Sequence, residues 1–177
     1  MNILKDRFVV VDLETTGLDV NRDYIIEIGA VKIEDGKCSD TFSSFASCMQ
    51  MQKLPEKITA LTGITDNDLL NAPPIENVLA QLKDFAEGYI LVAHNLSFDF
   101  AFLRNWGFWC GVDFDSFAGD AIDTIEYAKS ILDGKVKNYK LSSLAEYFDM
   151  RFTHHRALTD AVATAEIFIR LADYAKT

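Results

Sequence analysis

The chain has 177 residues, 49% hydrophobic and 12% aromatic, which suits one compact domain with a real core and excludes both disorder and a small disulfide scaffold. No apolar run approaches the roughly 20 residues of a membrane helix, and the first seven residues lack the apolar stretch of a secretory leader, so a soluble, cytoplasmic protein with no membrane contact is expected. The net charge of −10 argues against a broad basic face of the kind that grips a nucleic-acid duplex.

Residues 8–13 form a short β-branched apolar run that reads as a buried strand, broken by Thr15-Thr-Gly-Leu-Asp19. Residues 24–33 read as a second strand, Asp35-Gly36 marks a hairpin, and a third strand is expected over 38–46. The chain thus opens with an antiparallel meander. Residues 54–63 suit a short helix, with Pro55 near its start and Gly63 at its end, and Thr65-x-x-Asp68 resembles a capping box. Ile75, Val78, Leu79, Leu82 and Phe85 recur at helical spacing behind Pro73-Pro74.

Residues 89–93 give a fourth strand and 98–106 a helix. Residues 120–123 suit a short fifth strand, followed by a helix over 125–132. Another helix is marked by Leu141, Leu144, Ala145 and Phe148, and the last spans about 157–174, with Val162, Ala165 and Ile169 among its buried positions. No repeat or linker interrupts residues 1–177, so one domain is expected, with a mixed sheet packed against helices. Cys38, Cys48 and Cys110 are odd in number and lack zinc-type spacing, which reads as reduced thiols in or near the core.

Asp12 and Glu14 stand two apart on the first strand, so their side chains share a face. Acidic groups at the end of an apolar strand must be exposed or bound; alone, the pair marks either a cation site or the turn into solvent. Asp99 follows the fourth strand in His94-Asn-Leu-Ser-Phe-Asp99, where a first-turn aspartate also suits the helix dipole. His94 and Asn95 read as hydrogen-bonders that cross-link the loop presenting Asp99. His155 and Asp160 open the last helix, and His154 reads as a surface residue. Nothing pairs with the two adjacent histidines at zinc spacing.

Together these positions supply four carboxylates and a histidine. Hard carboxylate oxygens suit Mg²⁺ or Mn²⁺. Two such ions roughly 4 Å apart clamp an in-line phosphoryl displacement, and a neutral histidine takes the proton of the attacking water. Cations in such a site also offset the local negative charge, which weakens the argument from net charge.

Val11-Asp-Leu-Glu-Thr-Thr-Gly-Leu18, His94-Asn-x-Ser-Phe-Asp99 and His155-Arg-Ala-x-x-Asp160 resemble the three motifs of the DEDDh exonucleases. That family includes the proofreading epsilon subunit of bacterial DNA polymerase III and the exonuclease domain of Gram-positive replicative polymerases. Leu61-Thr-Gly-Ile-Thr65 and Ile122-Asp-Thr124 match further segments, and the resemblance runs from about Phe8 to Leu171. It implies a ribonuclease H-like α/β fold with a central five-stranded mixed sheet flanked by helices. It implies two divalent cations, Mg²⁺ or Mn²⁺, held by Asp12, Glu14, Asp99 and Asp160, with His155 as general base. A sister subfamily has tyrosine four residues before the last aspartate, where this chain has Arg156.

The resemblance also suggests that Thr15, Thr16 and Leu18 contact the sugar and phosphate of the terminal nucleotide, and Leu61 or Ile64 its base. For Leu61 and Ile64 the alternative is plain core packing. Asn95 is a further candidate contact. The interleaved Lys135-Val-Lys-Asn-Tyr-Lys140 is either a solvated loop or a contact to strand phosphates or bases.

The expected activity is 3′→5′ hydrolysis of DNA ends, single-stranded or frayed by preference, in proofreading or repair and with a DNA polymerase as a candidate partner. A 3′ exoribonuclease of the oligoribonuclease or ribonuclease T kind is the enzymatic alternative. A catalytically silent strand-end or polymerase-binding module is the alternative of another class. The sequence ends just after the last helix, without the polymerase-binding extension of the epsilon subunit, which suggests an independent protein or an excised domain.

Overall fold

The computed structural model describes residues 6–49, 51, 53–151 and 155–176. Strand β1 (Phe8–Thr15) pairs antiparallel with β2 (Ile25–Glu34), which pairs antiparallel with β3 (Lys37–Phe45). Asp35 and Gly36 turn the hairpin at φ 50° and 71°, the left-handed conformation that an Asp-Gly pair tolerates. Three short helices or turns of helix follow: α1 (Glu56–Thr62), α2 (Asp66–Leu70) and the longer α3 (Ile75–Ala86). Gly63 ends α1 at φ 74°, and Thr65 and Asp68 close a reciprocal capping box on α2.

Strand β4 (Ile90–Ala93) lies parallel to β1, and β5 (Ile122–Asp123) lies parallel to β4. Between them runs α4 (Leu96–Cys110). The chain closes with α5 (Thr124–Leu132), α6 (Leu141–Tyr147) and α7 (Ala157–Tyr174). The five strands form one mixed sheet in the order β3-β2-β1-β4-β5.

Alternation along β1 divides the core. Val9, Val11 and Leu13 pack with α3 and α4 on one face, while Phe8 and Val10 pack with Ala161, Ala165 and Phe168 of α7 on the other. Helices α5 and α6 lean on α7 through Ala128, Leu132, Leu144, Ile167 and Leu171. The sheet is therefore covered on both faces, as an α/β domain requires. No described helix is long and apolar enough to cross a membrane.

Several sequence expectations shift. Helix α4 starts at Leu96, two residues early, because Asn95 enters it at φ 70° without a side-chain cap. A 3-10 turn at Asp115–Phe117 has no hydrophobic period to announce it. Phe148 lies just beyond α6, and Val162 and Ile169 are half-buried at the edge of the apolar face of α7. Cys38 is exposed on β3, while Cys48 and Cys110 are half-buried.

Candidate active site

The site arises where the sheet splays. Strand β1 pairs with β4 only as far as Val10, opposite Val92, yet continues to Thr15 alongside β2. The backbone of β1 beyond Val10 thus lacks a strand on its β4 side. Asp99, in the first turn of α4, reaches into that gap, and Leu13 N–H donates to its Oδ1 at 3.1 Å. Asp12 and Glu14 project from the opposite face, that of Phe8 and Val10, toward α7. Helix α7 supplies Asp160, which is 7% exposed, while Asp99 is 4% exposed.

Three separate elements therefore converge on one spot. Among the described residues, Glu14, His155 and Asp160 each offer a ligand atom within 4.8 Å of the others, while Asp12 and Asp99 join the cluster through their electrostatic coupling to these carboxylates and to each other. His155 is exposed, with φ 70°, and its backbone N–H donates to Asp160 Oδ2 at 2.9 Å. Asp160 thus holds the entry to α7 in place of an ordinary cap, since Arg156 caps it with no side-chain bond. His154 lies outside the described residues.

Electrostatics follow from this crowding. Burial pushes the Asp12 carboxyl well above the ordinary carboxylate range, and Asp99, Asp160, Glu14 and Glu27 push it further. Glu14 rises to about 7, first through burial and then through Asp160 and Glu27, against the opposing pull of Arg156. Asp99 rises through burial, partly offset by backbone N–H groups including that of Leu13, with Glu14 and Asp123 adding to the rise. Three raised carboxyls, with the Asp160 carboxylate beside them, are a donor set suited to hard divalent cations.

Two structural devices at this site are absent from the motif reading. Glu27 is 2% exposed on β2, directly opposite Glu14 in the strand pairing. Arg156 Nε donates to both its oxygens at 3.1 Å, Nη2 donates to Oε1 at 2.7 Å, and Ala157 N–H donates to Oε2 at 3.0 Å. The signal available in sequence was a lone acid inside the apolar run Ile25-Ile-Glu-Ile28. The second device is Gly29, opposite Asp12: a Cβ there would stand 2.2 Å from backbone atoms of Ala157 and Leu158, so only glycine lets α7 start this close to the sheet.

The turn after β4 is cross-linked as expected. His94 Nδ1 bonds Thr124 Oγ1 at 2.9 Å, and the backbone N–H groups of Asn95 and Leu96 donate to the Asp123 carboxylate at 3.2 and 3.1 Å. Asp123 also accepts from Ile125 N–H, so one side chain caps α5 and fixes the start of α4. Burial lowers His94 to about 4, with Asp123 and the Tyr139 carbonyl opposing. Its ring is therefore neutral at neutral pH, and it braces the turn. The Asn95 side chain is exposed and accepts from Ser97.

The loop after β1 places its residues differently from one another. Leu18 is 84% exposed. Thr15 and Thr16 are buried, and their hydroxyls build the loop: Thr15 donates to the Gly17 carbonyl, and Thr16 donates to Asp23 and accepts from Tyr24 N–H. The α4 residues Asn105 and Trp106 brace the same loop through the carbonyls of Val20 and Asp23. Leu61 is 52% exposed on α1, whereas Ile64 is 2% exposed in a cluster with Ile26, Leu54, Ile58 and Leu69. Ile64 therefore occupies the core-packing alternative that the sequence left open for it.

Known proteins match this arrangement. Residues 9–168 fit the RNase_T family model, described as exonuclease. The chain is 43% identical over 171 residues to the PolC-type DNA polymerase III of Caldanaerobacter subterraneus subsp. tengcongensis, a match that takes in 96% of this chain and 12% of that protein. The chain thus spans about an eighth of the length of such relatives. The nuclease domain of 3′hExo, a DEDDh family member bound to rAMP, superposes with a TM-score of 0.82 at 22% identity, covering 96% of this chain and 92% of that one. Exonuclease X in complex with 5′ overhanging duplex DNA superposes with a TM-score of 0.75 at 25% identity, covering 96% and 93%. The chain belongs to the RNase_T exonuclease family, and its fold is that of a DEDDh member.

Proposed function

We propose that this chain removes nucleotides one at a time from DNA 3′ ends, with Asp12, Glu14, Asp99 and Asp160 as ligands of two divalent cations, Mg²⁺ or Mn²⁺, and His155 as general base. The observation that carries the reading is the approach of β1, α4 and α7 to a buried cluster of carboxyls, in which burial and the neighbouring carboxylates push Asp12, Glu14 and Asp99 toward protonation. The donor set is all oxygen and strongly anionic, which fits a hard divalent ion and not zinc. Two such cations, when bound, stabilise the attacking and leaving oxygens of an in-line displacement.

The protein groups have separable tasks. Asp99 ties α4 to β1 through Leu13 N–H, so it sets the distance between two of the ligating elements. Asp160 both faces the cluster and fixes His155 by accepting its backbone N–H. His155, exposed at the mouth, takes the proton from the attacking water when neutral. Leu18 and Leu61 supply apolar surface at the rim for a terminal sugar and base. The likeness to PolC-type polymerases supports DNA as substrate, a polymerase as partner, a proofreading or repair role and the cytoplasm as setting.

The test is digestion of matched DNA and RNA oligonucleotides labelled at the 5′ end, with Mg²⁺, with Mn²⁺ and with excess chelator. A metal-dependent ladder that shortens DNA faster than RNA supports the reading. Faster loss of RNA moves the substrate to ribonucleic acid, and shortening that survives the chelator removes the two-cation mechanism.

A further inference from the structure

The basic loop between α5 and α6 is built rather than slack. Tyr139 OH accepts the Gly134 N–H at 3.1 Å and so closes the loop on its own start. Asn138 Oδ1 accepts the Lys140 N–H at 3.0 Å, and Val136 and Tyr139 pack on the α5–α6–α7 cluster. Lys135 is engaged elsewhere, with Nζ 2.9 Å from Tyr174 OH and 4.9 Å from that ring. Lys137 and Lys140 are exposed, and among the described residues neither has an ion-pair partner.

The loop is also tied to the site. The Tyr139 backbone lies close enough to the ring of His94 to favour its protonated form, and His94 Nδ1 bonds Thr124. His94 and Asn95 form the turn that delivers Asp99, and Asp123, which fixes that turn, acts electrostatically on both His94 and Asp99. The loop therefore stands at the carboxyl ends of the parallel strands β1, β4 and β5, where open α/β sheets take their ligands. In a chain of net charge −10, two exposed ammonium groups on a braced loop, without an ion-pair partner among the described residues, are a local reversal of sign.

We propose that Lys137 and Lys140 bind the phosphodiester backbone of the substrate strand upstream of its 3′-terminal nucleotide. This rests on the exonuclease reading. The loop is linked to the carboxylate cluster through the His94–Asn95 turn and Asp123 and supplies none of the carboxylates, so its lysines are assigned to phosphates along the strand and not to the scissile one. Being held by Tyr139 and Asn138, the lysines lose little backbone freedom on binding, so the interaction costs less than one made by a flexible tail. Released counterions supply the favourable free energy, and the interaction is blind to sequence.

The experiment compares the wild-type chain with Lys137→Ala/Lys140→Ala and Lys137→Arg/Lys140→Arg. Binding of a long labelled oligothymidylate is read by fluorescence anisotropy in Ca²⁺ between about 50 and 200 mM salt, and hydrolysis of the p-nitrophenyl ester of thymidine 5′-monophosphate is read in Mn²⁺. At about 0.1 M salt, removing one lysine–phosphate pair on a single strand weakens binding roughly fivefold, so the alanine pair should bind about 25-fold more weakly, with a salt slope shallower by about 1.4. The ester has no upstream phosphate, so its turnover should not change, and the arginine pair should bind like the wild type. Unchanged strand binding in the alanine pair, or an equal loss on the ester, overturns the proposal. A wild-type chain that cleaves neither ester nor strand overturns the exonuclease reading instead, while the binding comparison still decides the lysines.

Discussion

Arg156 closes on both carboxylate oxygens of Glu27 at 2.7–3.1 Å, and this grip joins the mouth of α7 to the strand residue that faces Glu14. The two partners are unequal. Glu27 is buried, while the Arg156 side chain is 49% exposed, so water can replace what Arg156 loses but not what Glu27 loses. Arg156 also tempers the charge on Glu14. Arg156→Ala should therefore harm the protein more than its exposure suggests, costing about 1–3 kcal/mol, the range for bonds to a buried charged group. Arg156→Lys should recover little, because an ammonium cannot form the fork. Urea unfolding and kcat on one strand substrate check this; a lysine variant equal to wild type would mean that charge alone matters.

The raised carboxyls make the metal-free protein sensitive to pH. Glu14 moves from 4.5 to about 7, and Asp12 and Asp99 also move up, so the folded state holds more protons than the unfolded one across this range. Stability must then fall as pH rises from about 4.5 to 7 and beyond, since the unfolded chain releases protons more readily. A metal-free sample should melt about 5–10 °C lower at pH 8 than at pH 5, by the usual conversion of a few kcal/mol into Tm. Mg²⁺ or Mn²⁺ should restore most of that loss at pH 8 and little at pH 5, where protons compete for the ligands. Asp12→Asn should raise the metal-free Tm at pH 8 while removing the response to metal. A flat metal-free Tm between pH 5 and 8 would contradict the crowding described for this cluster.

Gly29→Ala tests how closely α7 must approach the sheet. The new methyl would overlap backbone atoms of Ala157 and Leu158, which cannot swing aside as a side chain can. The start of α7 must shift, carrying His155 and Asp160 away from Glu14. Overpacking of this kind costs about 1–3 kcal/mol, and turnover should drop more steeply than stability, since small displacements at reacting groups are amplified in rate. Thermal melts beside kcat measurements decide it. Loss of stability with normal kcat would show that the helix start is not what positions the site.

The elements that could be read from sequence are those with a strong local period. β1, the Asp35-Gly36 hairpin and α3 carry their burial pattern in consecutive residues. The start of α4 does not, because Asn95 is held by Asp123, 28 residues away, and not by a neighbouring cap. Glu27 and Arg156 are 129 residues apart, so no window on the chain could pair them. On α1, Ile58 and Thr62 face inward while Leu61 faces out, and a seven-residue helix offers too few turns to settle the buried face from hydrophobicity. The motif residues Asp12, Glu14, Asp99, His155 and Asp160 were legible because motif order supplies what local physics does not. The fold then shows why they meet, at the gap where β1 outruns β4.

The form of the DNA end should decide the rate. The cluster lies at the splayed end of the sheet, with Asp99 and Asp160 buried, so on the proposed function a scissile phosphate would reach it only if the terminal nucleotide left its stack. Unpairing a terminal base costs a few kcal/mol, and less when it is mismatched. The loop carrying Leu18 is stiffened by Asn105, Trp106 and the Thr16–Asp23 bond, so this exposed side chain can wedge against the freed nucleotide without first being ordered. A mismatched 3′ terminus should therefore be removed faster than a matched one, with mononucleotides as products. Leu18→Ala should slow removal from matched duplex more than from single strand, because only the duplex needs a wedge. The measurement is a time course on one primer annealed to matched and mismatched templates, with a single-stranded control. Faster loss from the matched duplex, or cutting of a circular single strand, would reject entry through a frayed end.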